Sequence, residues 1–284
     1  MLYLFISPHL DDVVLSCGGY VHRLTTAGAN VLIATLVTAD VPSGTPLSWL
    51  MRRNHMAWRL GDAPFSARRE EDAQAVQALG AQKVHLDLLD AMYRRDAVGQ
   101  VLYPKDTVRV PVHPDDWKRY EPAMRERLRE VLSTHNGDAI QVFCPLAVGE
   151  HVDHIIVRRA VEELYTPRQI TYYEDYPYAG KLDDVRAKLG LDGRLETWES
   201  MTISLTRDEV QARIAAVACY RSQMRGLFPS ELERWQEIAQ ARLPVLGRYL
   251  DWPADPCASR ERMASSVQAY IARVGGERYW RRCA

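Results

Sequence analysis

The 284-residue chain contains no Cys-x-x-Cys pair. Its five cysteines, Cys17, Cys144, Cys219, Cys257 and Cys283, are scattered, which excludes a zinc ribbon and a dense disulfide framework and suits a reducing compartment. No segment approaches the roughly 20 consecutive apolar residues of a membrane helix. Residues 1–6 lack the basic flank and the longer apolar core of a secretory signal, so a soluble, cytoplasmic protein is expected. Charge of one sign is lacking too: a formal net charge of -1 gives no reason to expect nucleic acid or an anionic membrane as partner. Internal repeats and low-complexity tracts are also missing.

What is present is apolar residue, 47% of the chain, enough for one large α/β domain over residues 1–284 rather than two independent ones. Residues 2–6 read as a buried strand stopped by Ser-Pro, 13–27 as a helix closed by Gly28, and "VLIATLV" (31–37) as a second buried strand. Residues 38–64 show no period, and so long a connection reads as a mobile, functional rim. "FSARREEDAQAVQALG" is a helix ending at Gly80, and "KVHLDLL" a third strand. A second irregular stretch, 93–120, precedes a polar helix at 121–133. "DAIQVFCP" is a strand, "VDHIIVRRAVEELY" a helix, and "QITYYEDYPY" a strand with its exit loop. This alternation predicts a mainly parallel sheet flanked by helices. From residue 206 onward the chain reads as a helical C-terminal portion with a proline break at 252–256.

In such a sheet, ligands bind outside the carboxyl ends of the strands. "SPHLDD" leaves the first strand there with His9, Asp11 and Asp12, and "GEHVDH" leaves "AIQVFC" there with His151 and His154. The two clusters converge if their strands are neighbours. Two histidines and one carboxylate suffice for a catalytic zinc, which keeps a place for water. Because the ion lowers the pKa of water towards about 7, a modest carboxylate beside it serves as base. The blander readings are a turn with an Asp helix cap and a His pair on a solvated helix face.

"PHLDDVVLSCGG", with "HVDH" far downstream, resembles the PIG-L/LmbE family of zinc-dependent N-deacetylases, whose pattern runs PHxDDxxLxxGG and later HxDH. The likeness extends to "RREEDAQAVQALGA", "YYEDYPY" and "YRSQM", in order through residue 225. It implies a Rossmann-like α/β fold, with zinc ligands His9, Asp12 and His154; Fe2+ suits the same donors. It further implies Asp11 as general base and His151 as the group that stabilises the developing oxyanion. The implied reaction hydrolyses the N-acetyl amide of an N-acetylated amino sugar, a GlcNAc-type small glycoconjugate, to acetate and free amine. The alternatives are an amidase on another acyl or thiol conjugate and a non-catalytic carbohydrate-binding protein. One departure is Val13, where many members carry Glu. No oligomeric state is indicated.

Arg68 and Glu71 match the family's R-x-x-E, with Arg68 near the pocket to hold sugar hydroxyls or orient a carboxylate; the alternative is an exposed, salt-bridged helix face. Asp90, ending the third strand, suits a substrate hydroxyl. "VHPDDW" repeats the His-x-Asp-Asp spacing with His113, Asp115 and Asp116 but lacks the flanking strand and Gly-Gly helix, so it reads as a surface turn. Gly18 and Gly19 lie within the first helix and mark close packing, and no nucleotide cofactor is expected. Cys17 and Cys144 read as core. Trp49, Trp58, Tyr93, Tyr103, Trp117, Tyr176 and Tyr178 suit stacking on sugar rings or loop anchoring.

Overall fold

A computed structural model of the chain describes residues 1–61, 64–135, 137, 139–191, 198–231, 233 and 256–283. Five strands run parallel: β1 (Leu2–Ser7), β2 (Asn30–Val37), β3 (Gln82–Leu88), β4 (Ile140–Pro145) and β5 (Ile170–Tyr173). With β6 (Trp198–Ile203) and β7 (Glu277–Arg282) they form one sheet in the order β3-β2-β1-β4-β5-β7-β6. β7 is antiparallel to both of its neighbours. Among the described residues the helices are α1 (Asp12–Thr26), α2 (Trp49–Trp58), α3 (Pro64–Ala78), α4 (Pro114–Ser133), α5 (Val152–Glu162), α6 (Leu182–Leu191), α7 (Arg207–Val217), α8 (Met224–Leu227) and α9 (Pro256–Val274).

The central strands are buried along almost their whole length because helices cover both faces. From β1 the chain winds outward to β2 and β3, then returns to β4 and winds the other way to β5. Right-handed crossovers in opposite directions put α1 and α3 on one face and α5 on the other. Accordingly α1 and α3 both pack on α7, while α4 packs on α5. The reversal falls between β1 and β4, registered from Leu2↔Ile140 to Phe5↔Phe143, with the two Phe rings stacked at 4.2 Å. The strands that carry the two polar clusters are therefore neighbours, and the crevice beyond their carboxyl ends is the switch point of the sheet.

Four stretches differ from the sequence reading. Residues 38–64 contain α2, opened by Ser48, whose hydroxyl accepts the main-chain N–H of Met51. Only Leu50 and Met51 are buried among its aromatic and basic neighbours, so no apolar period announced it. Helix α4 starts at Pro114, ahead of the expected 121; Pro122 sits inside it, where a proline reads as a start. "VHPDDW" is consequently no surface turn. His113 caps α4 by accepting the Asp115 N–H at 3.1 Å, and Asp116 is fully buried. The C-terminal portion is not helical throughout either: after α9 the chain re-enters the sheet as β7. Of the expected proline break, residues 252–255 lie outside the described residues.

That returning strand braces α1. The carboxylate of Glu277, 1% exposed, accepts the N–H groups of Gly19 (2.9 Å) and Tyr20 (3.0 Å), the Arg213 guanidinium (3.2 Å) and the Tyr279 hydroxyl (3.1 Å). A Cβ at Gly19 would lie 2.5 Å from Leu205 Cδ1, and one at Gly18 3.0 Å from Arg213 Cγ, so the glycines serve close packing as the sequence suggests. Cys17 and Cys144 are buried in the core. Among the described residues, no helix is long and apolar enough to cross a membrane.

Two tests follow from this brace and from its neighbour, Arg23–Glu209. In Glu277→Ala, buried Arg213 loses its carboxylate, and urea unfolding is expected to register a loss of about 3–5 kcal/mol; a loss near zero would refute the brace. Arg23 hydrogen bonds, opposed by slight burial, lower the Glu209 carboxyl from 4.5 to about 2. A lowered folded-state pKa means stabilisation complete above pH 4.5 and lost as pH falls towards 2. The stability gap between wild type and Glu209→Gln should narrow along that descent, and a constant gap would speak against the pair.

Candidate active site

The turn after β1 is pinned by Ser7, whose hydroxyl donates to the His9 carbonyl (2.6 Å) and accepts the Val13 N–H (3.3 Å). Asp11 occupies the N-cap position of α1, yet its side chain makes no capping bond, so the Asp-cap reading fails. Asp12 Oδ2 accepts the His9 N–H at 2.8 Å and lies 3.3 Å from His9 Nδ1. The same oxygen lies 3.2 Å from His154 Nε2, joining the two sequence-distant clusters.

The loop leaving β4 holds Ala147 and Glu150 at φ 62° and 53°. Such left-handed non-glycine residues cost about 1–3 kcal/mol each and gather at functional sites. His151 caps α5, its Nδ1 accepting the Asp153 N–H (3.2 Å) and its Nε2 standing 2.9 Å from Thr107 Oγ1. His154, 1% exposed, is far from a solvated helix face. Its Nδ1 meets Asp175 Oδ1 at 2.6 Å, while Asp175 Oδ2 accepts the Val148 N–H at 3.1 Å. His9 Nε2 lies 3.1 Å from Asp153 Oδ2 and 3.8 Å from Asp90 Oδ2.

The environment separates groups that are chemically alike. Burial, then the Asp12 charge, pushes Asp11 up to about 6 against the pull of Arg68 and His9. Burial acts on Asp12 too, but the charges and hydrogen bonds of His154 and His9 outweigh it and hold that carboxyl well below the usual range. His154 is raised to about 9 against burial by Asp12 and Asp175, and His9 is raised against burial by Asp12 and Asp153. Burial and the nearby His9 depress His151, leaving it neutral. Asp153 is held low against burial by Arg94 and His9.

Arg68 is 5% exposed, with Nη2 4.0 Å from Asp11 Oδ1 and its guanidinium over the Trp58 (4.7 Å) and Phe65 (5.5 Å) rings. Glu71 is buried as well and accepts the Ser222 N–H (3.0 Å) and hydroxyl (2.6 Å). The exposed salt-bridged face is thus excluded: R-x-x-E and "YRSQM" clasp α3 to the segment after α7, aided by the Tyr220 hydroxyl on Asp72 (2.7 Å). Asp90 is buried and caps the 3-10 turn Ala91–Tyr93 through the Met92 N–H, its other oxygen turned to His9. Tyr178 lies edge-on to His154 at 6.1 Å and fills the space where a Cβ on Gly149 would come within 2.7 Å of three of its ring carbons. Tyr93, Tyr103 and Tyr176 are buried anchors, whereas Trp49 and Trp117 are exposed.

Among the described residues, two groups of three have donor atoms close enough to hold a metal ion, His9–His151–His154 and His9–Asp90–Asp153, both through His9 and neither including Asp12. His113, Asp115 and Asp116 join neither. Sequence reasoning assigned no role to Asp175, Asp153, Thr107 or Arg94. Asp175 carries the signal used for the others, a carboxylate just past a strand end; Thr107 and Arg94 carry none.

Residues 4–165, from β1 through α5, match the family model described as PIG-L: GlcNAc-PI de-N-acetylase. The chain is 33% identical over 227 residues to 2'-N-acetylparomamine deacetylase of Streptomyces fradiae, covering 78% of this chain and 72% of the relative. It is 27% identical over 246 residues to the protein of the same name from Niallia circulans, covering 81% and 84%. Among solved structures, the zinc-inhibited form of teicoplanin deacetylase Orf2 superposes with a TM-score of 0.69 at 25% identity, over 99% of this chain and 97% of that one. With the matched region holding both motifs and most of the parallel sheet, the chain belongs to the PIG-L family of de-N-acetylases.

Proposed function

We propose that the chain is a metal-dependent N-deacetylase that hydrolyses the N-acetyl amide of an amino sugar in a small glycoconjugate, releasing acetate and a free amine. The observation that carries this reading is Asp12 Oδ2 at 3.3 and 3.2 Å from His9 Nδ1 and His154 Nε2. Donor atoms about 2.0–2.1 Å from a tetrahedral zinc stand roughly 3.3 Å apart. The far nitrogen of each of these rings meets a carboxylate, Asp153 for His9 and Asp175 for His154, as metal-holding histidines habitually do. His151 has a backbone N–H and a hydroxyl instead. His9, Asp12 and His154 are therefore the residues that would hold Zn2+, or Fe2+, which their nitrogen and oxygen donors also suit. The names of the two curated relatives, both deacetylases of an N-acetylated amine, support the reaction.

An ion held by these residues would supply a Lewis acid to polarise the amide carbonyl and acidify water. Asp11, raised to about 6, is poised near neutrality to take the proton of the attacking water and deliver it to the amine nitrogen as the C–N bond breaks. His151 accepts the Asp153 N–H at Nδ1, so its own proton sits on Nε2. In the structure that nitrogen faces Thr107 Oγ1 at 2.9 Å, and a bound carbonyl oxygen would take its proton in place of the hydroxyl as negative charge develops. Arg68, 4.0 Å from Asp11, would orient that carboxylate and, with Asp90, would meet sugar hydroxyls.

Elemental analysis of the purified protein should find about one zinc or iron per chain, lost in His154→Ala. Asp11→Ala should keep the metal while acetate release from N-acetylated amino sugars falls by about two to four orders of magnitude. A wild type that takes up no metal after reconstitution would overturn the reading.

A further inference from the structure

We infer that Arg94 is a positioning residue for the metal site: it fixes the carboxylate of Asp153, which in turn decides the nitrogen that His9 presents to Asp12 and the ion. This rests on the role proposed above for His9. Arg94 is 0% exposed, and all three of its guanidinium nitrogens are engaged. Nε donates to the Leu89 carbonyl (3.0 Å), Nη1 to Asp116 Oδ2 (3.0 Å), and Nη2 to Asp153 Oδ1. The Tyr120 ring lies 4.2 Å from the guanidinium carbon. Asp116 Oδ2 also accepts the Tyr103 hydroxyl (2.7 Å), whose oxygen accepts the His113 N–H (2.8 Å). The stretch that reads as irregular in sequence, together with the decoy "HPDD", thus builds a buried clasp around one cation.

Asp153 divides its oxygens between this clasp and the site. Oδ1 belongs to Arg94, while Oδ2 accepts the Ala91 N–H (3.2 Å) and faces His9 Nε2 (3.1 Å). An ionised carboxylate only accepts, so Asp153 keeps a His9 proton on Nε2 and holds the ring with Nδ1 turned to Asp12, 3.3 Å away, the side on which an ion beside Asp12 would take that nitrogen. Arginine suits the task because its rigid planar fork reaches two carboxylates and a carbonyl at once. A lysine ammonium is a single point that cannot reproduce that spread.

The test is the zinc dissociation constant, measured by chelator competition alongside thermal unfolding, with the wild type as reference. Arg94→Lys, which keeps the charge, is expected to weaken zinc binding about ten- to a hundred-fold. If that variant does not fold, Arg94→Met/Asp116→Leu removes a cation and an anion together and should show the same loss. Leu128→Ala, a core cavity in α4 away from the clasp, should lower the melting temperature and leave zinc affinity within about two-fold of wild type. Wild-type affinity in a folded Arg94 variant would overturn the inference while leaving the metal site standing. So would an equal loss in Leu128→Ala, since affinity would then merely follow stability. A wild type that binds no zinc would overturn the site and this inference with it.

Discussion

Burying carboxylates in a low-dielectric interior is tolerable only if each meets a cation or several donors, and this constraint organises the carboxyl edge of the sheet. Asp11, Asp12, Asp90, Asp153 and Asp175 are all buried there. The neighbouring β1 and β4 bring His9, His151 and His154 to them; α3 brings Arg68, and the stretch before α4 brings Arg94. The cluster holds together as a set of charges shared in pairs. Its by-product is chemical differentiation: two adjacent aspartates with opposite pKa shifts, one suited to holding a cation and one to moving a proton.

The scaffold behind that edge is tied to it over long sequence distances. α1, which begins with Asp12, is gripped by Glu277 of β7 and by Arg213 of α7, which also donates to the Leu15 carbonyl. α3, which carries Arg68, is gripped through Glu71 and Asp72 by Ser222 and Tyr220. The part of the chain beyond the family match is thus what fixes the two helices on which the site depends.

How much of this was legible depended on how local each signal is. His9, Asp11 and Asp12 are contiguous and follow an apolar run, so strand, turn and helix start could be read together, as could His151 and His154 after β4. The mainly parallel sheet was legible from alternation of buried runs with helical periods. β7 was not, because its buried face is Glu277 and Tyr279 and its other face is Arg278 and Trp280, a pattern that no apolar alternation marks. α2 and the start of α4 were missed for related reasons: few buried apolar residues in one, an internal proline in the other. Arg94 was illegible in principle. Nothing in "YRRD" distinguishes Arg94, wholly buried between two carboxylates, from Arg95, which bonds the Gly99 and Pro46 carbonyls at the surface.

The position of β7 also bears on how the chain is made. It enters between β5 and β6, both synthesised earlier, so a growing chain carries each of them with an unpaired edge until residues 277–282 emerge. Open edges invite strands from other molecules. The closing pairs, such as Tyr172↔Trp280, join residues far apart in sequence, which makes this closure slow relative to local steps. A growing chain therefore passes through an interval in which two sheet edges stand open, and the pairing of residues 277–282 brings that interval to a close.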